Sequence, residues 1–487
     1  MNFDYVVAGG GTAGSVLAAR LSEDPAVRVL LLEAGAGVPL PSMANPLAWP
    51  TLAGSSVDWG DDTVPQRGLD GSVAPYPRGK VLGGSSGING MMHIRGDRSA
   101  YDAWEAGGAT GWNYDALLPY FRRSERTDHR DPKYRGTSGP MHVGVPATTD
   151  PLWEMCFAAA VEAGHPAVDD SNAAQAEGTS WNDMTVVNGR RQTAADAYLT
   201  HRPNLTVVAD AEVRSLVMDG TTCRGVGYVV GSTATTVHAD REVILAAGAI
   251  GSPAVMLRSG IGPADELRAL GIDVHVDLAG VGANLQDHPK SQVAYSATRP
   301  VRGGFARKPH VLLRSAGAPT PDLQLIFVEF AVKPRWAPQL DDDGFSVIFS
   351  LMSPASRGTV RLAPNGRTLI DPAFLTDPDD VRRMLAGLEA AREVGAAAAL
   401  APVRGQELFP DAATEYLRAT VTTYFHPVGT CKLGTDATAV VDPDLRVYGV
   451  HNLRIADASI MPSIPSGNTN APTLAIAERA ADLIKRS

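Results

Sequence analysis

The sequence has few cysteines and no long hydrophobic run, and each absence excludes a class of protein. Its 487 residues include only three cysteines, Cys156, Cys223 and Cys431, which lie far apart and lack metal-ligand spacing. We therefore expect reduced thiols in a cytoplasmic protein, not a disulfide framework. No stretch approaches the roughly 20 apolar residues that cross a bilayer. Residues 1–8 also lack the basic flank and the long apolar core of a signal peptide.

Basic charge is scarce as well. Lysine and arginine together number 43 against 53 aspartates and glutamates, which gives a formal net charge of −10. A chain of this sign is repelled by phosphate backbones and anionic lipids, so neither nucleic acid nor a membrane is expected as a partner. Internal repeats and long charge runs are also missing. The length instead predicts two or three structural domains in an ordinary globular protein.

The clearest positive signal lies at the start of the chain. Residues 5–8 form an apolar run typical of a buried parallel strand, and the glycine-rich sequence GGGTAG follows at residues 9–14. A helical pattern at residues 15–22 leads to a second apolar strand at 27–32, after which comes Glu33. A strand, a glycine turn, a helix, a strand and an acid in this order predict a dinucleotide-binding unit.

Each key residue of this unit has a physical role in binding a dinucleotide. Gly9 permits the tight turn, Gly11 lets the backbone approach a pyrophosphate, and Gly14 lets the helix lie close to the sheet. The free N–H groups at the N-terminus of the helix attract the phosphates. Glu33 is placed to accept hydrogen bonds from ribose hydroxyls, and its charge disfavours the 2′-phosphate of NADP.

Patterns in the rest of the chain predict an α/β protein, α+β overall, with an inserted second domain. Strands are expected at 204–209, 211–218, 241–246 and 453–458, and in a different sheet at 322–330 and 345–352. Helical patterns cover 104–124, with turns at glycines 107, 108 and 111, and also 379–400 and 471–484. The nucleotide fold begins at one end of the chain and finishes at the other, which implies the insertion.

Further motifs along the chain are similar to those of one enzyme family. They are RGKVLGGSSGING at 78–90, AGAIGSP at 247–253, SGIG at 259–262, VGANLQDH at 281–288, HPVGTC at 426–431, DASIMP at 457–462 and GNTNAP at 467–472. Together with GGGTAG and with LLEAG at 31–35, this set resembles the glucose-methanol-choline (GMC) oxidoreductase family over nearly the whole chain. The resemblance implies an FAD-binding, Rossmann-like domain of the glutathione-reductase type at 1–137, 202–290 and 424–487. It also implies a substrate-binding domain, built on a mostly antiparallel sheet, at 138–201 and 291–423.

The cofactor implied by the resemblance is FAD. The resemblance places contacts at Thr12, Ala13, Glu33, Val81, Ser85, Asn89, Gly90, Met91, Val213, Asp457, Ala458 and Thr469. The glycine turn and the adjoining loops add Gly9, Gly11, Gly14, Ala34, Gly84 and Ala247 to the predicted cofactor site. Some members of the family tether FAD covalently through a histidine. Ile88 fills the matching position here and His93 lies at a different spacing, so we expect a non-covalent, dissociable FAD.

The resemblance also implies that the enzyme oxidises an alcohol. This reaction needs a base for the hydroxyl proton and a partner for the oxygen as negative charge develops. His426, in HPVGTC, is the expected base because the ordinary pKa of histidine lies near neutrality and its aromatic neighbours exclude water. Asn470 stands where the resemblance places a histidine or an asparagine, and its amide is expected to donate to the substrate oxygen. Asn468 and His288 are expected to have structural roles.

The sequence contains few residues that indicate the substrate. Pocket walls are expected from Phe425, Val328 and Phe330. Glu329 offers an anchor for a cation such as choline, but a glutamate that alternates with apolar residues usually lies on the opposite face of its strand. No aromatic cage for a quaternary ammonium group is evident. An uncharged primary alcohol is therefore the expected substrate, and oxygen the expected electron acceptor.

Three alternatives stay open at this point. A dehydrogenase, including one acting on choline-like substrates, would pass electrons to another acceptor. A hydroxynitrile lyase would use the same fold without net oxidation. A flavin-bound protein with a structural role would do neither, and anaerobic bleaching of the flavin by an alcohol separates the first prediction from the last two.

Overall fold

Two sheets of seven strands each organise the chain in a computed structural model that describes residues 3–301, 304–333, 343–409 and 413–486. The first sheet contains Phe3–Ala8, Val29–Leu32, Leu205–Val208, Ala211–Asp219, Thr222–Val230, Thr233–Leu245 and Leu453–Ile455. At its parallel centre, Phe3–Ala8 pairs with Val29–Leu32 on one side and with Thr233–Leu245 on the other. These parallel strands end at one edge, so the glycine turn and Glu33 meet there.

The second sheet is antiparallel. Its strands are Gly178–Trp181, Pro289–Ala297, Pro309–Leu313, Leu323–Val328, Gly344–Leu351, Arg404–Glu407 and Thr422–Thr423. The register aligns Ile348 with Gln292 on one neighbouring strand and with Ile326 on the other. Because side chains alternate between the faces of a strand, Phe349 and Leu325 point the other way, into a buried core that the helix Pro378–Ala396 shares.

Helices cover the two sheets. They are Thr12–Leu21, Arg98–Ala106, Tyr114–Ser124, Pro151–Glu162, Ala194–Tyr198, Gly248–Arg258, Ala264–Ala269, Pro378–Ala396, Ala413–Thr420 and Asn470–Lys485. Short 3-10 helices lie at Pro41–Ala44, Pro46–Thr51, Arg67–Leu69, Gly84–Gly87, Ala398–Leu400 and Ala458–Ile460. Two-stranded ladders pair Glu125–Arg126 with Met141–His142, Val186–Val187 with Arg190–Arg191, Ile261–Gly262 with Val276–Asp277, and Thr359–Leu362 with Thr368–Asp371.

The first and last helices pack together and join the two ends of the chain. Glu478, fully buried on the last helix, accepts hydrogen bonds from Arg20 Nε at 2.9 Å and from Arg123 Nε at 2.7 Å. A buried carboxylate without such partners would be costly, so these arginines hold the C-terminal helix against the nucleotide unit. No helix in the described ranges is long and apolar enough to cross a membrane.

The predicted α/β fold class is confirmed, with specific differences. The helical pattern at 104–124 corresponds to two helices, because Gly108 and Gly111 adopt left-handed backbone angles (φ +101° and +80°) between them. Asn113 then starts the second helix by accepting from Ala116 N–H at 2.8 Å. Pro289–Ala297 was not predicted as a strand, since its polar start (Lys290 to Gln292) lacks apolar alternation. The domain boundaries stay a prediction.

Candidate active site

A cavity of about 830 Å³ lies at the carboxyl ends of the parallel strands. Ala8, Leu32 and Ala246 line it from the first sheet, each at or just beyond the end of its strand. The second sheet contributes Ile326 and Ile348, from the face opposite its core. Ligands of α/β sheets bind at this edge, and a volume of this size is typical of a ligand site.

The glycine turn at one end of the cavity fits a bound pyrophosphate. Gly9 has a φ of +109°, and a Cβ at Gly14 would lie 1.8 Å from the Gly9 carbonyl oxygen, so the protein itself requires both glycines. Gly11 differs, because a Cβ there would have only the Gly84 Cα within 4 Å, at 3.8 Å. Gly11 lines the cavity. The space that its missing side chain leaves is therefore available to a phosphate.

The helix that follows this turn has an uncapped N-terminus. Gly11, the N-cap of Thr12–Leu21, makes no side-chain hydrogen bond to the helix, and no acid occupies the first turn. By contrast, Asp97 caps the helix Arg98–Ala106 with its side chain. The free N–H groups and the positive end of the helix dipole lie at the cavity, where they suit a phosphate group. We call the region around Gly11 and Glu33 the nucleotide end.

Two buried acids hold the loops around the nucleotide end. Glu33 accepts hydrogen bonds from Gly10 N–H at 2.8 Å and from Gly35 N–H at 2.7 Å, and burial raises its pKa to about 7. Asp457 accepts from Gly248 N–H at 2.8 Å. Each carboxylate oxygen of Glu33 holds one backbone donor, which leaves acceptor capacity for the ribose hydroxyls expected from the sequence.

Most predicted FAD contacts line the cavity. Those that do are Gly9, Gly11, Thr12, Ala13, Glu33, Ala34, Gly84, Ser85, Asn89, Gly90, Met91, Val213, Ala247, Asp457, Ala458 and Thr469. Gly14 and Val81 do not line it: Gly14 packs against the Gly9 carbonyl, and Val81 is buried with Met43 and Val57 in a small cluster. The residues present therefore fit FAD along almost the whole predicted contact set.

The predicted tethering position also borders the cavity. Ile88 lines it, whereas His93 is buried elsewhere, with its Nε2 lying 3.0 Å from Glu125 Oε2. Within the described part of the chain, His426 is the one histidine that lines the cavity. The position at which some family members carry the histidine that tethers FAD is therefore filled by a side chain that cannot form that bond.

His426 sits on a strained, tightly held turn. Its backbone N–H donates to Asp287 Oδ1 at 2.9 Å, and Phe425 just before it has a φ of +68°. Phe425 N–H donates to Thr423 Oγ1 at 2.7 Å, and Tyr76 donates to the same Asp287 carboxylate at 2.8 Å. A left-handed angle at a phenylalanine costs about 1–2 kcal/mol, and strain of this kind concentrates at functional sites. The turn fixes where the imidazole points.

A buried histidine pair sets the tautomer of His426. His288 Nε2 lies 3.1 Å from the Met352 carbonyl oxygen, which can only accept, so this nitrogen carries a proton. His288 Nδ1 must then accept from His426 Nδ1, at 2.9 Å. His426 Nε2 is consequently the unprotonated nitrogen, and Asn468 Nδ2 lies 3.2 Å from it. The basic atom of His426 is thus presented beside an amide donor.

Burial keeps this pair neutral. The pKa of His426 is lowered well below 6.5 by burial, with smaller contributions from His288 and Lys290, and burial lowers the pKa of His288 to about 3. The Tyr424 ring centroid lies 4.6 Å from that of His426, and the buried Tyr424 hydroxyl has no partner in the described ranges. The neutral base and the buried hydroxyl without a partner are both able to form hydrogen bonds with a polar ligand here. We call the region of the cavity around His426 the catalytic end.

The two asparagines of the GNTN sequence have different surroundings, although both line the cavity. Asn470 Oδ1 accepts a hydrogen bond from Thr12 Oγ1 at 2.9 Å, which links the starts of the first and last helices. Asn468 contacts His426 and keeps a buried Oδ1 without a partner among the described residues. The structure therefore brings Asn468 to the imidazole, where the sequence had favoured Asn470.

The predicted substrate walls, Phe425, Val328 and Phe330, all line the cavity. Glu329 does not: its Oε2 lies 2.7 Å from Lys308 Nζ in an ion pair. Lys308 lines the cavity, as does Lys290 at the catalytic end. Glu329, which the sequence offered as an anchor for a cation but favoured on the opposite face of its strand, is therefore neutralised by Lys308 and lies outside the cavity lining.

Sequence reasoning did not foresee that His288 and Asn468 contact His426 or that Lys290 lines the cavity. The contact of His288 with His426 spans 138 positions along the chain, so no local pattern reveals it. For Asn468, the repeated asparagine in GNTN was a usable signal, because both amides precede one helix. Lys290 directly follows His288-Pro289, but the strand that holds it was not predicted, so its place at the cavity could not be foreseen.

Comparison with known proteins agrees with this geometry. The sequence matches the GMC oxidoreductase family over residues 3–290 and 354–477. It is 40% identical to the mitochondrial choline dehydrogenase of Homo sapiens, over 99% of this chain and 90% of that protein. The solved structure of pyridoxine 4-oxidase from Mesorbium loti superposes with a TM-score of 0.96 at 37% identity, covering 100% of both chains. A formate oxidase from Aspergillus oryzae, studied for its FAD modification, gives 0.92 at 28% identity, covering 100% of this chain and 98% of that one.

Proposed function

The chain belongs to the GMC oxidoreductase family, and from that premise we propose that it oxidises a small primary alcohol without positive charge to the aldehyde. Its class, an FAD-dependent enzyme acting on CH–OH groups, follows from the family and its relatives. The observation that carries the proposal is the fixed tautomer of His426, whose unprotonated Nε2 lies beside an amide donor at the cavity.

The side chains of the catalytic end supply the proton chemistry. His426 Nε2 accepts the hydroxyl proton, and because Nδ1 already donates to His288, Nε2 is the one basic atom of the ring. Asn468 donates to the substrate oxygen as negative charge develops on it. FAD, when bound, accepts the hydride from the carbon. The rings of Tyr424 and Phe425, which also line the cavity, limit the access of water.

We assign the amide role to Asn468 and not to Asn470. Asn468 Nδ2 already lies at hydrogen-bonding distance from the proposed base, so an alcohol oxygen bound to Nε2 also lies within its reach. Asn470 is engaged with Thr12 at the glycine turn, and we propose that it positions the cofactor site.

Choline is the second candidate substrate, because the human relative is named a choline dehydrogenase. Such a cation needs a free carboxylate or aromatic faces. Glu329 is paired with Lys308, and two lysines line the cavity. These charges disfavour a cationic substrate such as choline.

Anaerobic mixing of the holoenzyme with a panel of alcohols tests the proposal. Benzyl alcohol and 3,3-dimethylbutan-1-ol are expected to bleach the flavin absorbance, and choline, which has nearly the same shape as the latter, is expected to do so far more slowly. Equal or faster bleaching by choline would make the chain a choline dehydrogenase. Release of cyanide from mandelonitrile without any bleaching by alcohols would make it a lyase.

Oxygen is the proposed electron acceptor. The two structural neighbours described above are named oxidases, and the protonated His426 left after alcohol oxidation supplies a positive charge that favours the first reduction of oxygen. Mixing the reduced enzyme with air-saturated buffer is expected to restore the flavin within one turnover and to form hydrogen peroxide. Reoxidation over minutes, with rapid turnover on an artificial dye, would identify a dehydrogenase.

The FAD is proposed to be non-covalent. Ile88 at the tethering position cannot form a bond to the flavin, and His93 does not line the cavity but is buried with its Nε2 3.0 Å from Glu125 Oε2. Acid precipitation of the purified protein should leave the yellow cofactor in the supernatant. Flavin that stays with the precipitated polypeptide would show a covalent bond at another residue.

A further inference from the structure

The cavity-facing side of the second sheet carries a charge that the reaction does not require. On Pro289–Ala297, Lys290 and Gln292 point to the same side as Ile348 on the neighbouring strand, because Lys290 pairs with Ser350 and Gln292 pairs with Ile348. Lys290 and Ile348 both line the cavity. An ammonium group at a cavity wall, without a carboxylate to neutralise it, is unusual and points to a ligand of opposite charge.

Lys290 has no carboxylate to neutralise it among the described residues. Its Nζ lies 4.8 Å from the ring centroid of Phe425, directly before the proposed base. Asp287, the acid that acts on Lys290 electrostatically, is buried and accepts from the Tyr76 hydroxyl, the Thr423 hydroxyl and the His426 N–H. Lys308, the other lysine at the cavity, is neutralised by Glu329 at 2.7 Å, whereas Lys290 has no such ion pair among the described residues.

A second polar group at the catalytic end also lacks a partner. The Tyr424 hydroxyl is buried without a hydrogen bond among the residues described, and its ring lines the cavity with its centroid 4.6 Å from that of His426. Burial also lowers the pKa of the Lys290 ammonium to about 8, which indicates that the surrounding residues do not fully compensate its charge. The ammonium of Lys290 lines the cavity without a carboxylate, so it suits a ligand with an electron-rich oxygen, and the Tyr424 hydroxyl is a second free group at the same end of the cavity.

We propose that Lys290 determines specificity by binding an acidic oxygen of the alcohol substrate, a phenolate or a carboxylate, and by repelling alcohols that carry a quaternary ammonium group. This inference rests on the proposed function and narrows its substrate class. One face of Phe425, which would otherwise be available to a ligand cation, is already occupied by the ammonium of Lys290. The sequence had favoured an uncharged alcohol, and Lys290 adds a preference for a second, acidic group.

Binding of a non-reactive probe tests Lys290 without any turnover. Benzoate and the neutral benzamide are titrated into the FAD-bound protein near pH 7, and binding is followed by the perturbation of the flavin spectrum. Lys290→Met should weaken benzoate roughly tenfold, the scale of one charge-assisted hydrogen bond, and change benzamide less than about twofold. Lys290→Arg, which keeps the charge, should retain most of the benzoate affinity. Lys432→Met, which removes a surface lysine paired with Asp436, is the matched control and should bind benzoate like the parent.

Turnover provides the second readout. The ratio of kcat/KM for 4-(hydroxymethyl)benzoate over benzyl alcohol should fall roughly tenfold in Lys290→Met, while choline should gain relative to 3,3-dimethylbutan-1-ol. Unchanged benzoate binding and unchanged ratios in that variant would overturn the inference. If no alcohol reduces the flavin, the proposed function fails by itself, and the benzoate titration still decides the role of Lys290.

Discussion

The nucleotide end and the catalytic end of the same cavity are built in opposite ways. At the nucleotide end, Gly9 and Gly14 are needed by the protein backbone itself, and both oxygens of Glu33 already hold backbone donors. At the catalytic end, the Tyr424 hydroxyl and Asn468 Oδ1 are buried without partners among the described residues. The carboxylate of Glu33 at one end is hydrogen-bonded before a ligand arrives, whereas two buried side-chain groups at the other end are not.

This difference separates binding from chemistry. A cofactor that stays bound benefits from a rigid, preorganised backbone cradle, since less freedom is lost on binding. A substrate that must enter, react and leave meets side chains whose hydrogen bonds it completes only in the reacting complex. We therefore expect substitutions at the two ends to affect different observables.

The largest expected effect lies at the catalytic end. His426→Ala should slow the reduction of the flavin by an alcohol by roughly 10² to 10⁴, the usual contribution of a general base. The variant should keep its full complement of FAD, because the nucleotide end is untouched. Single-turnover absorbance measurements give the rate, and the ratio of flavin to protein absorbance gives the occupancy. A variant that reduces its flavin at the parental rate would remove His426 from the mechanism.

Asn468 and Asn470 lie two positions apart, and their substitution is expected to affect the reaction and the binding of FAD differently. Asn468→Ala should slow flavin reduction by about 10- to 100-fold, the scale of a hydrogen bond to developing charge. Asn470→Ala should slow it less and should instead loosen FAD, because it removes the contact with Thr12 at the glycine turn. Both rates and both FAD dissociation constants are measured side by side. The reverse order of the two rates would return the amide role to Asn470.

Two glycines test whether the nucleotide end is shaped for a ligand. Gly11→Ala should weaken FAD binding about tenfold or more while leaving the melting temperature of the apoprotein nearly unchanged, because its Cβ would meet only Gly84 within 4 Å. Gly14→Ala is the matched control. Its Cβ would lie 1.8 Å from the Gly9 oxygen, so it should destabilise the apoprotein itself, by about 1–3 kcal/mol or more. Equal effects of the two variants on the apoprotein would contradict this distinction.

The smallest expected effect is a dependence on pH. The pKa of Lys290 is lowered to about 8, so its ammonium is charged below that pH and neutral above it. The preference for 4-(hydroxymethyl)benzoate over benzyl alcohol should therefore decline as the pH rises through about 8 and stay flat in Lys290→Met. Burial raises the pKa of Asp287 to about 6 and lowers the pKa of His426 well below 6.5, so both of these neighbours of Lys290 titrate below the range in which the change is expected. A ratio that is constant across this range would argue against a charged Lys290 in the complex.

The contrast between the nucleotide end and the catalytic end also explains which residues could be predicted from the sequence and which could not. The glycine turn, Glu33 and the strand–helix–strand order lie within the first 33 residues, and local pattern alone located them. His426 was recognised through its motif. The partner of that base could not be chosen, because Asn468 and Asn470 lie two positions apart and the backbone just before the last helix decides which of them reaches the imidazole.

Other parts of the catalytic end depend on contacts between distant segments. His288 meets His426 across 138 positions, through the pairing of Pro289–Ala297 with Thr422–Thr423. That strand escaped prediction because its polar start resembles a loop, and Lys290 was lost with it. Long-range strand pairing is the information that a residue pattern does not carry.

The most direct test of the account compares benzyl alcohol with its α,α-dideuterated form in anaerobic stopped-flow experiments on the wild-type holoenzyme. We predict that both alcohols bleach the flavin band in a single turnover and that the deuterated alcohol does so clearly more slowly, because the C–H bond breaks as hydride leaves for FAD while His426 holds the hydroxyl proton. A flavin that stays oxidised with either alcohol, at saturating concentration and with FAD fully bound, would contradict the account.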